Sequence, residues 1–264
     1  MATAAPLEAL APGPARREAR RSGLYLWAGG IALFIAIGGF IPTYWLQVPA
    51  GTFSGTPLMH LHAVLFTAWP LLLLSQALLI ARGGLRHHRM WGLAGISLAS
   101  MMLIVGWMTA VVGMTERLES GYGDAARSFL IVPLTAITLF FGFFAAAIAN
   151  INRPEWHKRL VVVATSCVLV APTARFFFLY ANGMAAGLRP GSLPPAPVTR
   201  SLGPITVLDL LLVAAMAYDW RRDGKVHPAW VWSLAILVPI QLLREPIAHT
   251  AAWLSFADWM ARFT

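Results

Sequence analysis

Seven apolar stretches, at about 24–47, 57–81, 91–113, 128–149, 160–181, 203–219 and 229–253, are each long enough to cross a hydrocarbon core of roughly 30 Å as a helix. Runs such as Leu71-Leu72-Leu73-Leu74 and Phe140-Phe141-Gly142-Phe143-Phe144 are apolar on every side. A spanning barrel needs alternating segments of about ten residues, so strands are the wrong reading. Composition agrees: 58% of the 264 residues are hydrophobic and 12% charged, where a soluble domain carries about 25% charged residues. The expectation is an all-α, seven-helix transmembrane bundle formed by residues 23–264. Residues 1–22, rich in Ala, Pro and Arg, are expected to be a disordered basic cytoplasmic tail. The apolar run after that tail is too long for a signal peptide and lacks a clear small-residue cleavage site, which predicts an uncleaved anchor.

Orientation follows from where the positive charges fall. With the N-terminus inside, thirteen of the 20 Lys and Arg lie on the cytoplasmic side: Arg16, Arg17, Arg20, Arg21, Arg82, Arg86, Arg89, Arg153, Lys158, Arg159, Arg221, Arg222 and Lys225. Five, namely Arg117, Arg127, Arg189, Arg200 and Arg262, lie on the other side, and Arg175 and Arg244 fall within spans. This predicts a cytoplasmic N-terminus and an outside C-terminus in a bacterial inner membrane. The net charge of +9 is then headgroup contact rather than nucleic-acid binding. One cysteine, Cys167, excludes an internal disulfide and covalent haem attachment.

The inner loops share a pattern, with Arg86-His87-His88-Arg89, Trp156-His157-Lys158-Arg159 and Lys225-Val226-His227-Pro228 each preceding an outward-running span. Arg175 and Arg244 take matching places in the last two hairpins, so a three-hairpin internal repeat after the first span is one reading. Equal hairpin lengths that space the loops alike are the other. His88, His157 and His227 are read as headgroup contacts, with a second haem or metal as the alternative.

Ionisable groups inside spans cost several kcal/mol each by insertion scales and turn toward a bundle interior or a watery cavity. His60, His62, Arg175, Asp209, Arg244, Glu245 and His249 all fall in the outer half of the membrane. Gln241, Glu245 and His249 are spaced four apart and share one helix face. These residues are the candidate site: Arg175 and Arg244 to hold a carboxylate or phosphate, Asp209 and Glu245 to orient them, and the histidines and Gln241 to hydrogen-bond. His62 and His249 are also candidate axial ligands of a b-type haem. Internal ion pairing that acts only as packing glue accounts for the same residues. Pro70, Pro133, Pro172 and Pro239 predict kinks, and Gly92-x-x-Gly95 predicts close helix packing. The loop 182–202, rich in Gly and Pro, is read as a cover for the pocket or a mobile connection.

Other chemistries are excluded. The only lysines, Lys158 and Lys225, are in inner loops, so a retinal Schiff base within a late span is impossible. No His-Glu-x-x-His helix, phosphate-binding P-loop or dinucleotide glycine fingerprint occurs. His60, Gln76, His88-Arg89-Met90-Trp91-Gly92, His157-Lys158-Arg159-Leu160 and Arg175 resemble a broad group of predicted bacterial polytopic membrane proteins. That group is loosely similar to histidine-bearing bundles such as cytochrome b561-type and oxidase-assembly membrane proteins. The resemblance covers roughly residues 57–180 and implies architecture; the chain lacks four mid-span histidines at matched depths, the two-haem b561 pattern. The functional expectation is an outer-half polar cavity for a small anionic or amphiphilic ligand: a lipid, a quinone or a haem. Its alternatives are a b-type haem redox protein and a structural or assembly subunit of a membrane complex.

Overall fold

A computed structural model describes the backbone of residues 14–182 and 194–264 and the side chains of 23–177 and 194–264. Residues 1–13 of the expected tail and 183–193 of the expected covering loop lie outside the described residues. The described chain is helical, without strands. Its helices are α1 (Pro14–Phe40), α2 (Pro57–Ala81), α3 (Leu85–Glu119), α4 (Gly123–Phe129), α5 (Ile131–Ala149), α6 (Pro154–Val168), α7 (Val170–Asn182), α8 (Leu202–Asp223), α9 (Pro228–Ala248) and α10 (Ala251–Met260). A π-helical turn, Ile41–Trp45, extends α1, and a 3-10 turn, Val198–Ser201, leads into α8.

Among the described residues, six helical segments are long and apolar enough to cross a membrane, and the bent pair α6–α7 makes a seventh if counted as one span. The exterior is apolar in the same way: Phe34 is 71% exposed, Leu93 69%, Leu210 60% and Leu242 60%. Water would penalise such a surface at about 25 cal/mol per Å2, whereas acyl chains do not. These are the properties of a multi-pass membrane protein.

Several boundaries differ from the sequence expectation, among them α3, which runs from Leu85 to Glu119 rather than over 91–113. α1 begins at Pro14, inside the stretch read as tail, where Pro at the first helical position precedes the helix formers Ala15, Arg16, Arg17, Glu18 and Ala19. The fifth span is broken, with α6 and α7 meeting at 44°. Pro172 explains the break, because it has no N–H to donate to the Val168 carbonyl and its ring crowds that oxygen. Pro133 stands opposite the Phe129 carbonyl where α4 passes into α5, yet Gly123–Ala149 still forms one span, and Pro70, Pro239 and Pro246 stay within continuous helices. Finally, α9 stops at Ala248 instead of running on to residue 253. Thr250 caps a new helix there, its side chain accepting from the Trp253 N–H at 3.2 Å.

α5 packs most extensively on α6, α1 on α2 and α2 on α3. The central core joins Trp69, Met102, Phe140, Phe144, Val163 and Trp230. Trp69 donates from Nε1 to Thr165 Oγ1 at 3.1 Å and meets Phe140 and Phe144 edge-on, which fixes α2 against α5 and α6. Small residues set the closest approaches. A Cβ on Gly95 would meet Leu72 at 3.1 Å, but Gly92 faces open space, so only half of the Gly92-x-x-Gly95 pair packs. Gly39 is tighter, since a Cβ there would collide with the Pro172 carbonyl oxygen. Gly39→Ala should destabilise the protein by about 1–3 kcal/mol through overpacking. Gly30→Ala, which meets nothing within 4 Å, should not. Thermal melts of the two variants in detergent check this.

Candidate functional site

Polar side chains gather at both ends of the bundle. At the end where α1 begins, a buried ion network joins four helices. Arg159 of α6 and Asp219 of α8 are each 1% exposed and pair through Nη2 at 2.5 Å and Nε at 2.7 Å. Trp230 of α9 donates from Nε1 to the same carboxylate at 2.9 Å. Arg222 sits 3.1 Å from the other Asp219 oxygen and 2.6 Å from Asp223. Glu155 takes Arg159 Nη1 at 2.6 Å and Lys158 at 2.7 Å. The Lys158 ammonium lies over the Tyr25 ring of α1, 5.1 Å from its centre. Lys158, Arg159 and Arg222 thus meet Glu155, Asp219 and Asp223 in equal number, which makes the network self-neutral.

This end corrects the reading of Arg159 as a headgroup contact: it is an interior residue, shielded by its carboxylate partners. Sequence reasoning passed over Asp219 and Glu155. The available signal was Asp219 itself, an acid one turn inside the basic end of an apolar span, which a buried arginine could match.

The histidines of this end do not form a three-ligand group. His88 and His157 stand edge-to-face with ring centres 6.4 Å apart, and His157 Nδ1 bonds the Ala147 carbonyl at 2.9 Å. His227 packs instead on Trp156 and caps α9, its Nδ1 accepting from the Ala229 N–H at 3.2 Å. No group of three or more His, Cys, Asp or Glu arranged for a metal occurs among the described residues.

At the opposite end, the expected single constellation resolves into four parts. Gln241 Nε2 donates to Asp209 Oδ1 at 3.3 Å, and with Arg244, Ser166 and Cys167 they line a cavity of about 10 Å3. That is space for one water-sized group and far too little for a haem or a quinone ring. Arg244 is 3% exposed, and its Nε and Nη1 have no hydrogen-bond partner among the described residues. Glu245 pairs with His249 at 3.3 Å, and His249 also contacts Ser128 Oγ at 3.3 Å on an exposed face. His60 hydrogen-bonds the Tyr44 hydroxyl at 2.9 Å and packs on Phe53. His62 stacks on Phe66, ring centres 4.0 Å apart, within electrostatic range of Arg175. The structure therefore brings Asp209, Gln241 and Arg244 together and gives His62 and His249 separate neighbours.

A second cavity lies beside the first. It measures about 320 Å3 and is lined by Trp107, Leu134, Thr135, Thr138, Leu139, Ile240, Trp253 and Phe256. Leu139 lines both the apolar groove and the Arg244 chamber. Thr138 is exposed, and the groove opens on the outer surface of the bundle. α10 closes its end and is anchored by Trp253 Nε1 to the Arg127 carbonyl at 2.9 Å and by Asp258 to Arg127 at 2.6 Å.

Comparison with family models, with curated proteins and with solved structures finds no match for this chain.

Two predictions follow from the ion network and the cap. Asp219→Asn should cost about 3–5 kcal/mol, because it leaves Arg159 buried and unmatched, while the double change Arg159→Met with Asp219→Leu should recover most of that loss. Unfolding of the three forms in detergent reads the difference. His227 titrates outside the spans, and burial, then the Arg159 charge, hold its imidazole below the usual histidine value. A histidine whose pKa is lowered by folding binds its proton more readily when unfolded, so stability falls as pH drops below about 6.5. His227→Ser keeps a cap and should flatten that slope in melts taken between about pH 5 and 8.

Proposed function

We propose that the chain is a multi-pass protein of a bacterial inner membrane, N-terminus cytoplasmic and C-terminus outside, that binds an amphiphile at its outer half. The observation that carries this reading is the pair of cavities sharing Leu139: an apolar groove of about 320 Å3 beside a buried guanidinium with unpartnered nitrogens. The groove falls within the roughly 300–1,000 Å3 of small-molecule sites, and its wall is made of the aromatic and aliphatic side chains that suit an acyl or isoprenoid tail. Rotation of Leu139 would join it to the chamber, where Arg244 attracts an anionic or strongly dipolar head and Asp209 with Gln241 sets its orientation. Thr138 offers entry from the lipid side. The three-hairpin repeat and the kinship with predicted bacterial polytopic membrane proteins belong to the same proposal.

The haem alternative draws no support from two histidines with separate neighbours. The assembly-subunit alternative finds its glue at the other end, in the Arg159–Asp219 network, and that leaves the groove unexplained.

Native mass spectrometry and lipid extraction of protein purified in mild detergent test the reading. The wild type should carry a lipid or isoprenoid quinone. Thr138→Trp, which fills the groove, should lower its occupancy by about tenfold, a loss of one to two well-packed contacts in binding terms. Arg244→Gln should lose retention of anionic species while the protein still folds. A preparation that carries nothing, and whose melting temperature no amphiphile raises, overturns the proposal. A Soret band in its visible spectrum would establish the haem alternative instead.

A further inference from the structure

Arg175 stands in contrast to every basic side chain of the Arg159–Asp219 network. Those cations have carboxylates at 2.5–3.1 Å. Arg175, from the broken fifth span, has no salt-bridge partner among the described residues; its Nε is buried and without a hydrogen-bond partner among them. The charged group acting on it is another cation, Arg117 of α3. Its guanidinium lies over the Phe40 ring, 5.4 Å from the centre. A ring face attracts a cation but accepts no in-plane hydrogen bond from Nε.

The surroundings hold that guanidinium in place. Pro172 and Phe176, which flank Arg175 on α7, pack closely on α1 at Gly39 and Gly38. Phe176 also stacks on Phe34. The bend at Leu169 thus packs α7 onto the end of α1, where the π-helical turn Ile41–Trp45 begins. Such turns occur disproportionately at functional sites. Two further polar atoms are buried without partners among the described residues: His62 Nδ1 on α2, within electrostatic range of Arg175, and Thr43 Oγ1 in the π-helical turn. A half-buried guanidinium beside a second cation, with a buried Nε that nothing among the described residues accepts from, is the complement of an anion.

We propose that Arg175, His62 and Arg117 form an anion site at the end of the bundle opposite the Arg159–Asp219 network, taking a carboxylate or phosphate group, and that this site is separate from the Arg244 chamber. Arg175 would supply a planar fork to two oxygens, His62 a neutral N–H, and Arg117 a second positive charge. The phosphate of an anionic lipid and a free oxyanion offer the same chemistry. The inference stands independently of the groove, because it rests on different residues.

The test uses the full chain in neutral maltoside detergent, with inorganic phosphate as one probe and phosphatidylglycerol as the other, against phosphatidylcholine. Melting temperature reads the phosphate arm and native mass spectrometry the lipid arm. The expected result is binding by the wild type and by Arg244→Gln, with about tenfold weaker binding by Arg175→Gln, the loss typical of one charge-assisted hydrogen bond. Stabilisation by phosphate supports a free oxyanion as the source, and Arg175-dependent retention of phosphatidylglycerol alone supports a lipid headgroup. His62→Asn should weaken the same arm with the fold intact, which keeps the test decisive if Arg175→Gln does not fold. Equal loss in Arg175→Gln and Arg244→Gln, or Arg175→Gln that melts higher than wild type and binds as well, overturns the proposal.

Discussion

The Asp219 carboxylate ties one end of the bundle together. Arg159 reaches it from α6, Trp230 from α9 and Arg222 from its own helix, while Lys158 covers Tyr25 of α1. In a medium that supplies no water to an orphaned charge, such a carboxylate is tolerable only with its partners in place, so the four elements must arrive together. The arrangement needs the N-terminal turns of α6 and α9 and the C-terminal turn of α8 at one depth, and the short connections at 150–153 and 224–227 provide that. Gly224, with φ of +70°, makes the reversal after α8 in a conformation that a residue with a side chain would resist.

The other end is built on different terms. There the helices break or stop: α7 turns away at Leu169, α9 ends before Thr250, and α10 packs on α4. Breaks expose backbone and separate the side chains that a straight bundle would have aligned. The result is several small polar groupings, with unpartnered guanidinium nitrogens on Arg175 and Arg244. A closed ion network at one end and unpartnered guanidinium nitrogens at the other divide the molecule into a part that holds the fold and a part with chemistry to spare.

Much of this was readable from residue order. The apolar runs mark the spans because lipid demands about twenty apolar residues of any crossing helix, and α2 matches its expected limits of 57 and 81. Pro172 announced the bend, and Asp209, Gln241 and Arg244 were recognisable as polar intruders on two spans that turn out to share a cavity. Less accessible was the partition of the cluster. Spacing along one helix says that Gln241, Glu245 and His249 share a face, but the break after Ala248 carries His249 onto an exposed surface while Gln241 stays inside. Likewise, nothing in the string Trp156-His157-Lys158-Arg159 separates a headgroup contact from a buried ligand of Asp219.

Residue order alone therefore specifies the medium, the number of crossings and which side chains are expensive to bury, because these depend on local composition summed over a helix length. Which expensive side chains meet, and which are left without partners, depended on distances between helices. Arg159 meets Asp219, sixty positions away along the chain, because α6 and α8 pack at one end, whereas Arg175 meets Phe40 because Pro172 bends α7 onto α1. Those pairings exist only once the helices have packed, so no window of sequence contains them.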